Sequence, residues 1–271
     1  MSIQFTKMHA LGNDFMVIAA IHQTIAFTPG QIATLAQRHT GVGFDQCLIV
    51  DQSRDPDIDF FYRIYNADGS EVGQCGNGAR CLARFIQHYG LSDKKTITVA
   101  TRTTRMSLHI NDDQTVTVDL GRPQWKSNGG NALPPLEQIE LDQHVYTFYE
   151  IDVGNPHAVI LTDDVRHAPV QTIGKQLSTH AFFPHQCNIG FMQIINPNHI
   201  QCRIYERACG ETKACGSGAV AAAAIGALVY ELAKEITVTL PGGDLFIYWP
   251  DHNGSIFLTG SATFVYDGVL G

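Results

Sequence analysis

One short motif occurs twice in this chain, as QCGNGARC at 74–81 and as ACGSGA at 214–219. Its two cysteines, Cys75 and Cys215, lie 140 positions apart, and an apolar, helix-like run follows each of them. The residues before the motif match at the same offset, in the pairs Arg63 and Arg203, Tyr65 and Tyr205, and Glu71 and Glu211. Similarity at a fixed offset is typical of an internal repeat. The sequence therefore predicts two halves of one fold, each with a Cys-Gly-x-Gly-Ala turn.

The bulk composition is that of a globular protein of two ordinary domains. The chain has 271 residues, of which 44% are hydrophobic and 16% charged, and its net charge is −8. A negative chain without a basic patch argues against a nucleic-acid partner. We find no apolar run long enough to span a membrane and no signal peptide, so we expect no membrane association. Seven cysteines without a secretory signal favour reduced thiols and a cytoplasmic location.

The predicted elements repeat in the same order in both halves. Each half reads as two strands, a helix, two strands, the cysteine turn, a second helix and three more strands. The second half has one strand to spare, which we expect to return to the first. This predicts an α+β fold of two pseudo-symmetric domains, each a curved, mainly antiparallel sheet wrapped around a central helix. We place the N-terminal domain at 1–121 with the strand at about 263–271, and the C-terminal domain at 122–262.

Four helices are predicted within this order. One begins at Thr28 and Pro29, as an N-cap and a first helical residue, and stops near Gly41. Two follow the cysteine turns, at 77–89 and 217–232, and the last should be apolar nearly all round. The fourth is predicted at 169–179. A loop-rich connection holds 121–135, including the turn at 128–131, and 125–143 has the weakest pattern.

A thiol at a helix start has unusual chemistry. Unpaired N–H groups and a partial positive charge gather there, which lowers a thiol pKa from about 8.5 and yields some thiolate. The glycines after each cysteine allow backbone N–H groups to approach an anion closely. Two such turns facing each other would supply a base, an acid and a cradle for a carboxylate. That set removes a proton from one face of an α-carbon and returns one to the other, which predicts a cofactor-independent racemase or epimerase.

Other readings of the same residues are less consistent with the pattern. A buried cysteine is usually a small apolar residue, and we read Cys47, Cys81, Cys187 and Cys202 in that way. No ligand spacing for zinc occurs, so we expect no metal. The turns lack the third glycine of a dinucleotide-binding loop. No lysine lies in a motif suggestive of pyridoxal phosphate, and we expect no cofactor.

The chain resembles the diaminopimelate epimerase family over nearly its full length. Six motifs carry the resemblance in order, namely HALGNDF at 9–15, GVGFDQ at 41–46, YNADGSE at 65–71, the first cysteine turn, GNPH at 154–157, and YER at 205–207 running through GET at 210–212 into ACGSG at 214–218. The resemblance implies interconversion of LL- and meso-2,6-diaminopimelate in bacterial lysine and peptidoglycan-precursor biosynthesis, without a cofactor. It also implies the two-domain fold derived above, with a small-molecule amino acid as partner. We further expect a homodimer, although the sequence does not fix the oligomeric state.

The resemblance also assigns roles to individual residues. It makes Cys75 and Cys215 the acid/base pair, with Cys75 removing the proton of the LL form. The reacting carboxylate would bind N–H groups of Gly76, Asn77, Gly216 and Ser217. The distal end of the substrate would be held by Asn13, Asn66, Asn155, Asn188, Glu206 and Arg207. Gln46 and His157 would support the reacting centre.

Two alternatives stay open at this point. A proline or hydroxyproline racemase, or a phenazine-pathway isomerase, has the same fold but needs no clamp for a distal amino-acid group. A protein that only binds an amino acid is the alternative from another class. The chain also departs from the family at Ala208, where glycine is usual, and Cys209 adds a thiol nearby. We expect these two residues to affect affinity and redox sensitivity rather than the type of reaction.

Overall fold

A computed structural model describes residues 2–126, 133–207 and 209–271. The predicted turn at 128–131 and the departure at Ala208 lie outside these residues. The strands, in chain order, are β1 (Ile3–Ala10), β2 (Asn13–Ala19), β3 (Gln46–Gln52), β4 (Phe60–Asn66), β5 (Glu71–Val72), β6 (Thr96–Ala100), β7 (Arg105–Ile110), β8 (Val116–Asp119), β9 (Leu136–Leu141), β10 (His144–Asp152), β11 (Pro156–Leu161), β12 (Asn188–Asn196), β13 (His199–Glu206), β14 (Gly210–Glu211), β15 (Glu235–Leu240), β16 (Gly243–Tyr248), β17 (Phe257–Gly260) and β18 (Thr263–Leu270). The α-helices are α1 (Pro29–Leu35), α2 (Gly76–His88), α3 (Lys175–Ser178) and α4 (Gly216–Val229).

The chain divides into two compact units. The first consists of Met1–Asp119 and Thr259–Gly271, and the second of Leu120–Leu258. The C-terminal strand β18 is part of the first unit because it pairs antiparallel with β1, from Ile3 opposite Leu270 to His9 opposite Thr263.

The first unit is a mainly antiparallel sheet around α2. From β18 the pairing runs through β1, β2, β3, β4 and β6 to β7 and β8, and β5 adds a short antiparallel ladder to β4. Only two of these pairings, β2 with β3 and β4 with β6, are parallel.

The second unit repeats that order of pairings around α4. From β9 the pairing runs through β10, β11, β12 and β13 to β15 and β16, with the short β14 beside β13. Its two parallel pairings, β11 with β12 and β13 with β15, fall at the matching places. The predicted α+β fold, two similar halves of sheet and helix, is confirmed.

The two helices that follow the cysteines are both buried, but they differ in where their apolar residues lie. In α2 one side is apolar and the remainder carries polar residues, and nine of its residues are buried. In α4 small apolar residues surround the helix, and the run 218–227 is buried throughout. A helix without a polar face is stable only when protein covers it on all sides, which explains why a sheet wraps around it.

Two predicted segments differ from the structure. The single helix predicted at 169–179 is a 3-10 turn (Val165–His167), a π-helical turn (Val170–Gly174) and α3. A β-carbon at Gly174 would lie 2.8 Å from the Cβ of Tyr205, so the backbone passes β13 too closely for a regular helix with side chains there. Strand β9 lies within the segment of weakest pattern, where only Ile139 is buried. Its pairing with β10 forms it, and local propensity gave little sign of it.

None of the described helices combines the length and the apolar character needed to cross a membrane.

Candidate active site

Both motif cysteines are N-cap residues of the central helices. Cys75 precedes α2 with φ −154° and ψ 106°, and Cys215 precedes α4 with φ −117° and ψ 107°. In each case the cysteine carbonyl accepts the first intrahelical bond, from Ala79 at 2.9 Å and from Ala219 at 3.0 Å. Each thiol therefore lies at a helix terminus, where N–H groups without intrahelical partners are concentrated.

The thiol of Cys75 is half-buried and accepts a hydrogen bond from the Gly78 N–H at 3.3 Å. The two glycines of this turn serve different purposes. A β-carbon at Gly76 would meet no atom within 4 Å, whereas one at Gly78 would lie 3.2 Å from Leu48 and 3.3 Å from Phe15. Gly76 thus leaves the helix terminus open to a ligand, and Gly78 allows the helix to pack against the sheet.

Asn77 links the first turn of α2 to the loop before β2. Its side-chain Nδ2 donates to Asn13 Oδ1 at 3.1 Å, and its Oδ1 accepts from Arg80 Nη2 at 3.0 Å. Arg80 has no exposed surface, and it also donates from Nε to the carbonyl of Ser261 at 3.2 Å. The sequence indicated no role for Arg80, which lies between apolar positions of a buried helix.

A charged cluster fixes Asn13 from the other side. Asp45 Oδ2 accepts from Asn13 Nδ2 at 2.9 Å, and Arg38 bridges Asp45 and Asp14. Burial alone would raise the pKa of Asp14, but hydrogen bonds from Arg38 and Lys7 outweigh it and hold the pKa below its usual range. Asn13 is therefore held in one orientation by charge-assisted contacts that sequence reasoning did not assign.

Gln46 and Asn66 form a second polar pair in this unit. They lie opposite each other on β3 and β4, and Gln46 Nε2 donates to Asn66 Oδ1 at 2.9 Å. The other amide atom, Gln46 Oε1, is buried and accepts no hydrogen bond from the described residues. A buried acceptor usually has a hydrogen-bond donor as its partner. A bound ligand with an N–H or O–H group could therefore donate to Gln46 Oε1.

The thiol of Cys215 has different surroundings from that of Cys75. Its exposed fraction is 3%, and its Sγ lies 3.6 Å from Ser217 Oγ. Burial raises the pKa of Cys215 well above its ordinary value, and a hydrogen bond with Glu206 raises it further, while Ser217 and the Gly218 N–H oppose the change. The prediction that the helix start lowers this thiol's pKa was wrong, because desolvation outweighs the helix terminus.

His157 is the centre of the polar cluster beside Cys215. Its Nε2 lies 3.0 Å from Ser217 Oγ, 3.2 Å from Asn155 Oδ1 and 3.3 Å from Asn188 Nδ2. Burial, with a smaller contribution from the charge of Arg207, lowers the pKa of His157 to about 3, so its ring is neutral at physiological pH. Its Nδ1 is buried without a hydrogen-bond partner among the described residues.

The remaining predicted contacts follow β12 and β13. Asn188 Oδ1 accepts from the Arg207 N–H at 2.9 Å, and Glu206 Oε1 accepts from Thr212 Oγ1 at 2.5 Å. The guanidinium of Arg207 reaches the carbonyl of His185 at 3.3 Å. The second unit therefore brings Asn155, His157, Asn188, Glu206, Arg207 and Ser217 together around Cys215.

The predicted residues form two separate groups in the first unit and one cluster in the second. The first unit joins Asn13 to Asn77 beside Cys75, and separately joins Gln46 to Asn66. The matching contact in the second unit joins Asn155 Nδ2 to Ser217 Oγ at 3.3 Å. The residues that sequence reasoning missed are Arg80 and the cluster of Lys7, Asp14, Arg38 and Asp45. The one feature of the sequence that could have indicated a role for Arg80 is its charge, which lies in the middle of a helix predicted to be buried.

Comparison with known proteins gives a consistent result. The family model of diaminopimelate epimerase matches residues 5–126 and 149–265. A diaminopimelate epimerase of Legionella pneumophila is 54% identical over 275 residues, which covers 100% of this chain and 99% of that protein.

Solved structures show the same fold at low sequence identity. A phenazine biosynthesis protein of the PhzF family from Bacillus anthracis matches with a TM-score of 0.73 and 17% identity, over 100% of this chain and 99% of the other. A hydroxyproline epimerase from Agrobacterium vitis, with bound trans-4-hydroxy-L-proline, matches with a TM-score of 0.70 and 11% identity, over 99% and 92%. At these identities the likeness concerns the fold alone.

Proposed function

The chain belongs to the diaminopimelate epimerase family, and we propose that Cys75 and Cys215 are the acid/base pair with which it epimerises diaminopimelate. Membership makes it an isomerase of a small amino acid, with a place in lysine biosynthesis. The resemblance seen in the sequence is thereby confirmed. The reading as a mere binding protein, and the readings as a proline racemase or a phenazine-pathway isomerase, were wrong.

One observation carries the assignment of the pair: each unit contains one cysteine that caps its buried central helix. A cysteine in that position has donors beside its sulfur, Gly78 N–H for Cys75 and Ser217 Oγ for Cys215. A hydrogen-bond donor beside the sulfur stabilises the thiolate, so each of these two cysteines can lose and regain a proton during turnover. Burial also raises the pKa of Cys47 and of Cys202, and neither sulfur has a hydrogen-bond donor among the described residues.

The two thiols act in sequence on the substrate α-carbon. A thiolate takes the α-proton, and the electron pair of the broken C–H bond moves toward the carboxylate. The opposite thiol then gives its proton to the other face of the carbon, which inverts the centre and leaves the thiol and thiolate exchanged. We assign the base for the LL form to Cys75 because the family resemblance implies it, and the raised pKa of Cys215 suits the role of acid in that direction.

The developing negative charge needs donors placed in advance. N–H groups of Gly76, Asn77, Gly216 and Ser217 at the two helix starts serve this role, which often contributes most to catalysis of this type. Gln46 Oε1 and His157 Nδ1, two of the four buried side-chain atoms without a partner among the described residues, would face the reacting centre and its amine.

The distal end of the substrate carries an ammonium and a carboxylate. Glu206 can accept from the ammonium, and the Arg207 guanidinium can bind the carboxylate with two parallel hydrogen bonds. Asn13, Asn66, Asn155 and Asn188 add neutral donors and acceptors. This clamp favours a substrate with amino-acid groups at both ends over proline.

The test is proton NMR in D₂O with purified, reduced protein, LL-diaminopimelate and no added pyridoxal phosphate, with proline in a parallel sample. We expect the α-proton signal of diaminopimelate to disappear and that of proline to persist. Exchange with proline alone would keep the two-thiol mechanism and contradict the clamp. No exchange with either compound would contradict the assignment of the two cysteines.

A cytoplasmic location and a homodimer are further parts of this proposal. The location is supported by the cysteine content, since seven is an odd number and suits reduced thiols. The dimer is supported by exposed apolar side chains on β18, where Val265 is 53% exposed and Val269 is 62% exposed. Light scattering after size exclusion checks the dimer, and a monomer mass at micromolar concentration would contradict it.

A further inference from the structure

Arg80 is a buried cation whose hydrogen bonds all go to neutral oxygens. It donates to the Ser261 carbonyl at 3.2 Å, to Asn77 Oδ1 at 3.0 Å and to the Gly76 carbonyl at 3.5 Å. Its exposed fraction is 0%. Within the part of the chain that the structure describes, no carboxylate forms an ion pair with it. A buried charge is costly unless an opposite charge compensates it, so this arrangement requires an explanation.

The location of Arg80 makes the cost larger. It lies in the second turn of α2, and helical side chains lean back toward the N-terminus, which brings the guanidinium over the first turn beside Gly76. A helix N-terminus already carries a partial positive charge. A cation placed there is unfavourable by itself and favourable when an anion occupies the same terminus.

Among the titratable side chains that interact with Cys75 electrostatically are Arg80, Cys81 and Tyr62. Burial raises the pKa of Cys81 and also that of Tyr62, so both are neutral at physiological pH. Burial lowers the pKa of Arg80 to about 10, against the opposing effect of Cys81 and Cys75, so Arg80 stays charged. Of these three neighbours, Arg80 alone carries a charge that Cys75 can use.

The second unit lacks this cation. Val220 occupies the position 140 residues after Arg80, and it is buried in α4. Glu206, a carboxylate, lies beside Cys215 instead and favours the protonated thiol. The two thiols therefore have opposite electrostatic neighbours, an arginine for one and a glutamate for the other.

We propose that Arg80 is a positioning residue that keeps the Cys75 thiol ionised in the free protein, and so makes Cys75 rather than Cys215 the resting base. The thiolate in turn is the counter-charge of the buried guanidinium. The inference rests on the proposed function, because the thiol that Arg80 keeps ionised is the one that removes the first proton from the substrate. Through its bond to Asn77, Arg80 also orients a donor that lies next to that thiol.

The test measures alkylation by iodoacetamide at Cys75 and Cys215 separately, by peptide mass spectrometry, as a function of pH. In the parent protein we expect the rate at Cys75 to reach half its maximum at least about one pH unit below that at Cys215. Comparing midpoints removes the effect of exposure on reagent access. Burial also raises the midpoint of Cys215, and the Arg80 variants separate that contribution from the effect of Arg80 on Cys75. Equal midpoints would overturn the proposal without any variant having to fold.

Three substitutions then separate charge from hydrogen bonding. Arg80→Met removes both, Arg80→Gln keeps an amide donor for Asn77, and Arg80→Lys keeps the charge. We expect Met and Gln to shift the Cys75 midpoint up by about one pH unit, which slows its alkylation at neutral pH about tenfold. Lys should restore most of the parent profile, and the Cys215 profile should not move in any variant.

Thermal unfolding accompanies each measurement, so that a loss of fold is recognised. If folded Arg80→Gln keeps the parent midpoint, Arg80 acts only through Asn77 and the electrostatic role is refuted. The readout needs no substrate. A low midpoint at Cys75 in a protein that fails to exchange diaminopimelate protons would therefore contradict the proposed function and leave this inference standing.

Discussion

The turn at Cys75 and the turn at Cys215 share a backbone and differ in almost everything around it. Each cysteine is the N-cap residue of a buried helix and has an extended backbone, and each helix begins with glycine. Cys75 is half-buried, accepts a backbone N–H and lies near a buried arginine. Cys215 is buried, contacts a serine hydroxyl and is held protonated beside Glu206. The repeated fold thus provides two thiols at equivalent places, and their charged neighbours differ, an arginine near one and a glutamate beside the other.

The neighbours that differ occupy matching positions of the two units. Arg80 corresponds to Val220 and Asn66 to Glu206 at the offset of 140. Phe15 lies opposite Gln46 in the parallel ladder of β2 and β3, and His157 lies opposite Asn188 in that of β11 and β12. The two units thus share a backbone, and the side chains beneath their cysteine turns differ in charge and polarity.

Removing either thiol is the largest change that this comparison predicts. Cys75→Ala and Cys215→Ala should each reduce kcat for epimerisation by about 10³-fold, because an acid/base group is lost. The two variants should differ in D₂O. Cys215→Ala should still exchange the α-proton of the isomer that Cys75 deprotonates, whereas Cys75→Ala should not. Proton NMR follows both reactions in one sample.

The matched control for these variants is Cys202→Ala, which removes a buried cysteine from β13 away from the helix starts. It should retain parent activity, and circular dichroism should show that all three variants fold. A near-parent epimerisation rate in either single variant of the pair would disprove the two-base mechanism.

His157→Phe gives the second unit the residue of the first, and it should change how stability depends on pH. The pKa of His157 is about 3 in the folded protein against an ordinary value of 6.5, so the unfolded chain binds a proton that the folded one does not. The parent therefore loses stability as the pH falls below 6.5, by about 2 kcal/mol at pH 5 from this group. In His157→Phe that contribution disappears, which urea unfolding at pH 7 and pH 5 measures.

His39→Phe, at an exposed histidine of the first unit, is the control for this experiment. Its unfolding free energy should change between the two pH values as in the parent. An identical pH dependence in His157→Phe and the parent would mean that His157 is not held neutral.

Adding a methyl group to the second glycine of each motif should have the smallest effect. A β-carbon at Gly218 would lie 2.4 Å from Ile204 Cδ1, while one at Gly78 would lie 3.2 Å from Leu48. We expect Gly218→Ala to lower the free energy of unfolding by about 1–3 kcal/mol through overpacking. Gly78→Ala should lower it by less than about 1 kcal/mol, because alanine favours the helix and offsets the tighter contact. Thermal unfolding of both variants checks the order, and a larger loss at Gly78 would contradict it.

Much of the fold could be predicted from local patterns. Thr28 and Gln31 form the capping box of α1 behind Pro29, and the alanine-rich run after Ser217 is a buried helix. Local patterns failed where contact with another segment accompanies the backbone conformation. Gly174, in the π-helical turn at 170–174, passes close to Tyr205, which is distant in sequence. Strand β9 pairs with the next strand, β10, although its own residues have little strand pattern.

The sequence by itself determined the duplication, the two thiols and the polar residues of the matching turns, because spacing and residue type are visible without a structure. Only the tertiary structure decided how these groups are tuned. Whether Cys215 gains or loses a proton depends on its desolvation and on Glu206, and His157 is neutral because its ring is buried among Ser217, Asn155 and Asn188. The role inferred for Arg80 depends on its buried position beside the first turn of α2. The protonation state of a side chain depends on its burial and on its electrostatic partners. Residues far apart in the chain determine both, so the sequence alone does not show them.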